Sequence, residues 1–459
     1  MSTERGADIC IIGLGPAGLG AADTVARTQS ALNELCIEAG PLPEGRFCSI
    51  LAGETCRKEE PCHMISGVGG CCTLGGSKIS GFPAGRGLAK VLGSEERAQR
   101  SLGAALNRFE AFVPLRHNVK GQESVEEARR IFNKMGFAYR YYDSSSFERG
   151  KFMEGCHAIL REMKRYGIRV LTEARALKVT AAAGGFRITA LHQGRNIDIF
   201  AKRLILGVGR LGHKLVADFL APRVGAPQLN DHIDVGVRLE FPSTLWPDID
   251  FFHNDLKLEF GSARTFCVCK EGKLAPYRMG EVFLAEGSRD ISTRTEFTNI
   301  AILVRKPLNG ASNKDVLVNE ILGRLLKAGG GALIRQPLTD FLGVTGHSSA
   351  VGNTDVPHSF WRWDKVGCCF PGEIMTEVRQ AVEYFVHRLF GENDWHLISV
   401  FAPELDYYWP KYKISANFST TVPNAYLIGD CTGHFRGILQ AFCSGILCAQ
   451  AILREANAF

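Results

Sequence analysis

Three glycines, Gly13, Gly15 and Gly18, followed by a carboxylate at Glu38, are the residues of this chain whose spacing points most directly to chemistry. In residues 7–20 (ADICIIGLGPAGLG) an apolar run stops at Gly13-Leu14-Gly15-Pro16-Ala17-Gly18, and a helical pattern opens at Leu19. Gly13 permits a tight turn, Gly15 lets the main chain approach a pyrophosphate, and Gly18 lets helix and strand pack closely. Pro16 and Ala17 lie in the same turn, where the free N–H groups and dipole of a starting helix favour negative charge. Residues 34–39 (ELCIEA) read as a second strand ending at Glu38 and Ala39, and Glu38 stands twenty residues beyond Gly18. A carboxylate at that point suits the ribose hydroxyls of an adenosine and repels a 2′-phosphate. The spacing predicts a dinucleotide site, with an ordinary glycine turn as the alternative.

Further candidates lie elsewhere. Residues 65–81 (ISGVGGCCTLGGSKISG) are glycine-rich, so that Gly69, Gly70 and Ser77 can lie against a flat ring or a diphosphate. Lys78 is the only charge there; beside an electron-accepting ring it would stabilise developing negative charge, and otherwise it is a lysine at a loop edge. Arg46, in the polar segment 40–61, would reach the pyrophosphate or the ring, or remain a surface arginine. Near the other end, residues 424–450 (NAYLIGDCTGHFRGILQAFCSGILCAQ) read as a strand, a Gly429-Asp430 turn, and a helix from Gly437 and Ile438. Asp430 suits polyol hydroxyls, and Ala441, Gly445 and Ala449 form a small-residue face for close helix packing. His434 is the first acid–base candidate, against a structural histidine. Arg264 and Arg436 are candidates for binding an anionic substrate or the cofactor itself. Residues 207–212 (GVGRLG) repeat the glycine spacing. They open a separate nicotinamide-nucleotide domain with Asp231 or Asp234 as acidic partner, or close the first domain, with Gly207 and Gly209 admitting the adenine side of the same cofactor. The β-meander before them favours the second reading.

The bulk properties describe an ordinary globular chain: 459 residues, 45% hydrophobic, 22% charged, with ample core for two or three domains. The net charge of +6 is spread along the chain, so no nucleic-acid site is expected. No apolar run approaches the roughly 18 residues of a membrane span, and the first strand begins too early for a signal peptide. The reading is a cytoplasmic protein whose fifteen cysteines are mostly thiols. Cys48, Cys56 and Cys62 match no zinc or iron–sulfur spacing, so no metal is expected. Helical periodicity marks residues 88–92, 97–112, 125–135 and 152–166. Strands follow at 185–191, 195–201 and 202–212, and a mixed α+β segment runs from 234 to about 403.

The paired ends, GLGPAGLG with Glu38 and YLIGDCTG followed by G-x-x-QA-x-x-SG, resemble FAD-dependent oxidoreductases of the glutathione-reductase-like Rossmann class. GPLPEGRFCSI, MISGVGGCCTLGGSKISG, RTFCVCKEGKLAPY and FAPELDYYWPKYKISANFSTTVPNAYLIGD are similar to a group of bacterial FAD-dependent dehydrogenases. The resemblance implies an α/β fold: a discontinuous Rossmann-type FAD domain (1–90, 151–235, 405–459), a helical insertion (91–150) and a mixed α+β substrate or cap domain (236–404). It implies FAD on the glycines, Glu38 and Asp430, with hydride transfer between flavin N5 and a small organic substrate. NAD(P)H is a possible electron partner. In place of the family's usual Gly-Ala-Phe-Ser-Asp-Gly-Lys, the chain has Cys72-Thr73-Leu74-Gly75-Gly76-Ser77-Lys78, keeping the lysine and losing the aspartate. A flavin monooxygenase and a thiol-using electron carrier or redox sensor are the other readings.

Overall fold

β1 (Arg5–Ile12) is apolar at four successive positions because both of its faces are covered. Ile9 and Ile11 enter one hydrophobic core, while Cys10 and Ile12 enter another on the opposite side, following the two-residue alternation of an extended chain. The computed structural model describes residues 5–28, 32–210, 212–224, 227–228, 232–246, 255–308, 311–344, 354–406 and 410–457. After β1 the elements are α1 (Pro16–Arg27), β2 (Glu34–Ile37), β3 (Lys78–Ser80), α2 (Arg86–Leu92), α3 (Glu95–Glu110), β4 (Arg116–Asn118), α4 (Gln122–Lys134), β5 (Ala138–Arg140), β6 (Ser144–Ser146) and α5 (Arg149–Arg165). Then come β7 (Arg169–Leu171), β8 (Ala174–Ala182), β9 (Gly185–His192), β10 (Arg195–Leu206), α6 (His213–Val224), β11 (His232–Pro242), β12 (Lys257–Phe260) and β13 (Ala263–Cys269). Four short strands follow, β14 (Lys273–Leu274), β15 (Tyr277–Met279), β16 (Val282–Leu284) and β17 (Gly287–Ser288). The remainder is β18 (Phe297–Pro307), α7 (Ala311–Gly329), β19 (Leu333–Pro337), α8 (Leu338–Leu342), β20 (Trp361–Trp363), α9 (Gly372–Leu389), β21 (Ser399–Asp406), β22 (Ala425–Leu427) and α10 (Ile438–Asn457).

The first sheet is Rossmann-type: β7, β2, β1, β10 and β22 are parallel, with Ile12 opposite Ile37 and Leu206, and Leu206 opposite Leu427. β8 and β9 extend it antiparallel from β10. Two strands were expected at 195–201 and 202–212, but β10 is one, since nothing between Ala201 and Lys202 turns the chain. Its first half pairs with β9 and its second with β22, while β1 runs along the other edge. The repeated glycine motif therefore belongs to this sheet: a Cβ on Gly13 would stand 2.5 Å from the Gly207 carbonyl oxygen. Asp234 lies in the second sheet, bound to Arg264 and Arg305, and Asp231 falls outside the described residues.

α1 and α10 lie together against one face. A Cβ on Gly445 would stand 1.9 Å from the Ala17 carbonyl oxygen, and one on Gly20 2.4 Å from that of Phe442, so main chain meets main chain. The segment Ile438–Ala456 is apolar and long enough to cross a membrane, which the sequence reading missed, but 72% of it is buried in the protein.

The second sheet has the order β20-β19-β21-β11-β18-β13-β12-β5. Ile233, Val235, Val237, Leu239 and Phe241 of β11 point into a core with residues of α7 and α9. The alternate residues Asp234, Arg238 and Glu240, on the other face of the strand, are buried as well. The boundaries read at 235 and 404 fall inside β11 and β21, which belong wholly to this sheet. The segment read as a helical insertion, 91–150, holds α3 and α4 but also β4 and β6, which build a small sheet with β3, and β5, which is the edge strand beside β12.

Glu34, at the start of β2, is 1% exposed. The Cys36 thiol donates to its Oε1 over 3.6 Å, and its Oε2 has no hydrogen-bond partner among the described residues. Burial raises this carboxyl from 4.5 to about 8. The folded protein therefore holds a proton that the unfolded chain releases. Its favourable contribution is complete below about pH 4.5 and is lost as pH rises through 8. Glu34→Gln should remove this slope and exceed the wild type at pH 9 by on the order of a few kcal/mol. Urea denaturation of both proteins at pH 5 and pH 9 measures it; equal differences at the two pH values would contradict the assignment.

Candidate functional site

The parallel strands end in one row. Past Ile12 comes the glycine turn, past Ile37 Glu38, past Leu206 Gly207, and past Leu427 the Gly429-Asp430 turn. Ligands of open α/β sheets bind outside these carboxyl ends. Gly13 has φ +96°, and a Cβ on Gly18 would stand 1.9 Å from the Gly13 carbonyl oxygen, so both positions require glycine. Gly15 is the N-cap of α1, Pro16 occupies its first position, and no side chain caps the helix. The first helical bond runs from the Leu19 N–H to the Gly15 carbonyl, which leaves the N–H groups of Ala17 and Gly18 without an acceptor among the described residues. An anion fits there.

Glu38 is locked at its strand end. Its Oε2 accepts from the Leu14 N–H at 2.6 Å, and its Oε1 from the Gly40 and Gly67 N–H groups at 3.0 and 2.9 Å. Oε2 keeps room for a second donor. Ala39 is half-buried beside it. The loop with Gly69 and Gly70 folds over the turn: a Cβ on Gly70 would stand 3.1 Å from the Gly15 Cα. Arg46 departs from expectation. Its guanidinium donates to the carbonyls of His63 (2.5 Å), Val68 (3.1 Å) and Gly70 (2.5 Å), and it is 6% exposed. A loop this poor in side chains turns its carbonyls inward, and Arg46 satisfies them. It positions the loop.

At the other side, Asp430 is partly exposed and lies 4.0 Å from Arg210, which also faces Glu286 at 3.8 Å. Gly209, with φ +57°, opens to free space. Gly437 has φ +107° just before Ile438 opens α10. On its first turn, Gln440 donates to the carbonyls of Ser80 and Ala84, while its buried Oε1 has no donor among the described residues. An unanswered acceptor and an uncapped helix start are what a bound dinucleotide would complete.

Three cations of the first unit reach carboxylates of the second: Lys78 to Asp255 at 2.5 Å, Arg210 to Glu286, and Arg436 to Asp406 at 2.5 Å. Asp255 also meets Lys257 at 3.2 Å and accepts from the Val268 N–H at 3.0 Å and the Tyr142 hydroxyl. Burial alone would raise its pKa, but Lys257 and Lys78 hold it far below the usual carboxylate range. Burial likewise favours a neutral Lys78, and Asp255 outweighs it, so the lysine stays charged. Ser77, 2% exposed, donates to the Arg289 carbonyl at 2.5 Å.

The catalytic candidates do not converge. Arg264 is engaged by Asp234 (2.8 Å) and Asp406 (2.5 Å), which two buried carboxylates on adjacent strands require; it is not available to a substrate. His434 is kept neutral by burial, and its Nε2–H donates to the Tyr412 carbonyl at 2.9 Å. Sequence reasoning missed Arg210, Asp255, Tyr142 and the Arg238–Glu404 pair. Arg210 lay inside the second glycine motif; the others carry no local signal. Among the described residues no cluster of three metal-ligating side chains occurs.

No protein-family model matches the chain, and no curated protein matches it. Solved structures similar to it include a geranylgeranyl bacteriochlorophyll reductase-like protein from Thermoplasma acidophilum (12% identity, 99% of this chain and 80% of that one, TM-score 0.41). Others are NikD, an unusual amino acid oxidase of nikkomycin biosynthesis (12%, 99% and 96%, TM-score 0.40), and a flavoprotein/dehydrogenase from Cytophaga hutchinsonii (12%, 99% and 79%, TM-score 0.41).

Proposed function

We propose that the chain is an FAD-dependent oxidoreductase acting on a small organic substrate, with NAD(P)H as a possible electron partner. The observation behind this reading is the single row formed by the glycine turn, Glu38, Gly207 and Asp430 at the carboxyl ends of four parallel strands. FAD would supply hydride acceptance and donation at its N5. Gly13, Gly15, Gly18 and the N–H groups of α1 would hold the pyrophosphate, Glu38 the adenosine ribose, and Asp430 the ribityl chain. Lys78, kept charged by Asp255, would supply positive charge to the reduced flavin ring. With its Nε2–H committed to Tyr412, neutral His434 can take a proton only at Nδ1, which makes it a base rather than an acid.

The visible spectrum of the purified protein tests the reading. It should show the bands of oxidised flavin, and acid should release FAD. Asp430→Ala should weaken FAD binding about 10- to 100-fold, the worth of a hydrogen bond to a charged group. A folded, colourless protein that takes up no added FAD would overturn the proposal. Reduction by substrate alone marks a dehydrogenase or oxidase; reduction by NAD(P)H only with substrate present marks a monooxygenase.

A further inference from the structure

Two thiols on the polar face of the second sheet have no part in that chemistry. Cys267 and Cys269 flank Val268 on β13, and in a regular strand two such residues stand about 7 Å apart on one face. β13 is not regular there. Its register with β18 slips between Phe266 and Cys269, and Cys267 has φ +48°, a left-handed conformation uncommon outside glycine. The distortion folds the strand back on itself, so that the Cys269 thiol donates to the Cys267 carbonyl oxygen over 3.6 Å.

Their surroundings differ. Cys267 is partly exposed, with Lys78 Nζ 4.0 Å from its sulfur and Arg238 Nη1 3.0 Å from its carbonyl oxygen. Cys269 is buried, and Gly287 crowds it so closely that a Cβ there would stand 2.7 Å from its sulfur. Cys269, Lys78 and Arg238 together hold the Cys267 thiol below its ordinary range, against burial and Asp255. Cys267 and burial hold the Cys269 thiol above it. One thiol is partly exposed with an ammonium beside it; the other is enclosed two residues along the same strand.

We propose that Cys267 and Cys269 form a redox-active dithiol that small disulfides oxidise, whether or not a cofactor is bound. The Cys267 thiolate attacks one sulfur of the small disulfide, breaks its S–S bond and expels one thiolate, leaving a mixed disulfide on Cys267. Cys269 sulfur then attacks Cys267 sulfur and expels the second small thiolate, which takes the Cys269 proton. Two protein thiols are oxidised, and one small disulfide is reduced to two thiols.

The test treats the folded protein with 2-hydroxyethyl disulfide, blocks remaining thiols with iodoacetamide, and maps tryptic peptides by mass. Residues 265–270 (TFCVCK) form one tryptic peptide holding both cysteines and no others. It should lose two hydrogens, take no alkyl group, and recover both thiols with dithiothreitol. Cys269→Ser should stop at the mixed disulfide on Cys267, and Lys78→Met should slow the first step roughly tenfold, one pKa unit's worth. Two independently alkylated cysteines in the treated wild type would overturn the proposal, and that measurement needs no variant to fold. An unaltered rate in a folded Lys78→Met would overturn the role of the lysine.

Discussion

Gly445→Val is expected to leave little folded protein and no retained chromophore. A side chain at 445 meets the Ala17 carbonyl oxygen at 1.9 Å and the Ala21 nitrogen at 2.9 Å, atoms of a helix that cannot rotate away. The only relief is to part α1 from α10, which withdraws Gly20 from Phe442 and tilts the helix start proposed to face the phosphates. Overpacking usually costs about 1–3 kcal/mol, and backbone against backbone lies at or beyond the upper end. Helix propensity works the other way, since glycine is the poorer helix former. Gly103 in α3 separates the two effects: nothing lies within 4 Å of a Cβ there, so Gly103→Ala should be neutral or stabilise by about 0.5–1 kcal/mol. Soluble yield and urea midpoints decide; a Gly445→Val protein with the wild-type midpoint would refute the close contact.

Arg238→Met should cost about 3–5 kcal/mol. Arg238 is 0% exposed and donates through Nε and Nη2 to both oxygens of Glu404, at 2.6 and 2.5 Å, and through Nη1 to Asn299 at 2.8 Å. Removing the guanidinium strands a carboxylate that is 4% exposed. Much of the loss is that uncompensated charge rather than the pair's own worth, so Arg238→Met with Glu404→Gln should recover a substantial part. A double variant no better than Arg238→Met would show that packing around the guanidinium, not charge, dominates.

Features set by local spacing were legible in the sequence. The glycine turn and Glu38 sit where their intervals place them, and Gly445, the middle residue of the small-residue face, meets the main chain of α1, with Ala441 and Ala449 buried in the same core. β11 was half legible: its alternation is plain in DVGVRLEF, but nothing in it says that the polar face is buried too. Partners distant in the chain were not legible. Lys78 is paired with Asp255, 177 residues away, and Arg264 with Asp234 and Asp406 on neighbouring strands. A lone lysine or arginine looks the same whether it awaits a substrate or holds a carboxylate. Arg46 was misread for a related reason: the carbonyls it satisfies are main-chain atoms, which have no letter of their own.

The late position of β22 and α10 bears on how the protein is made. β10 pairs with both β1 and β22, and α10 covers α1, yet the whole second sheet is translated between them. A nascent chain that has released residues 5–406 can assemble the second sheet while the second half of β10 still shows an open edge and α1 an uncovered apolar side. Until the ribosome delivers the last two elements, that unit is the one exposed to aggregation and in need of a chaperone.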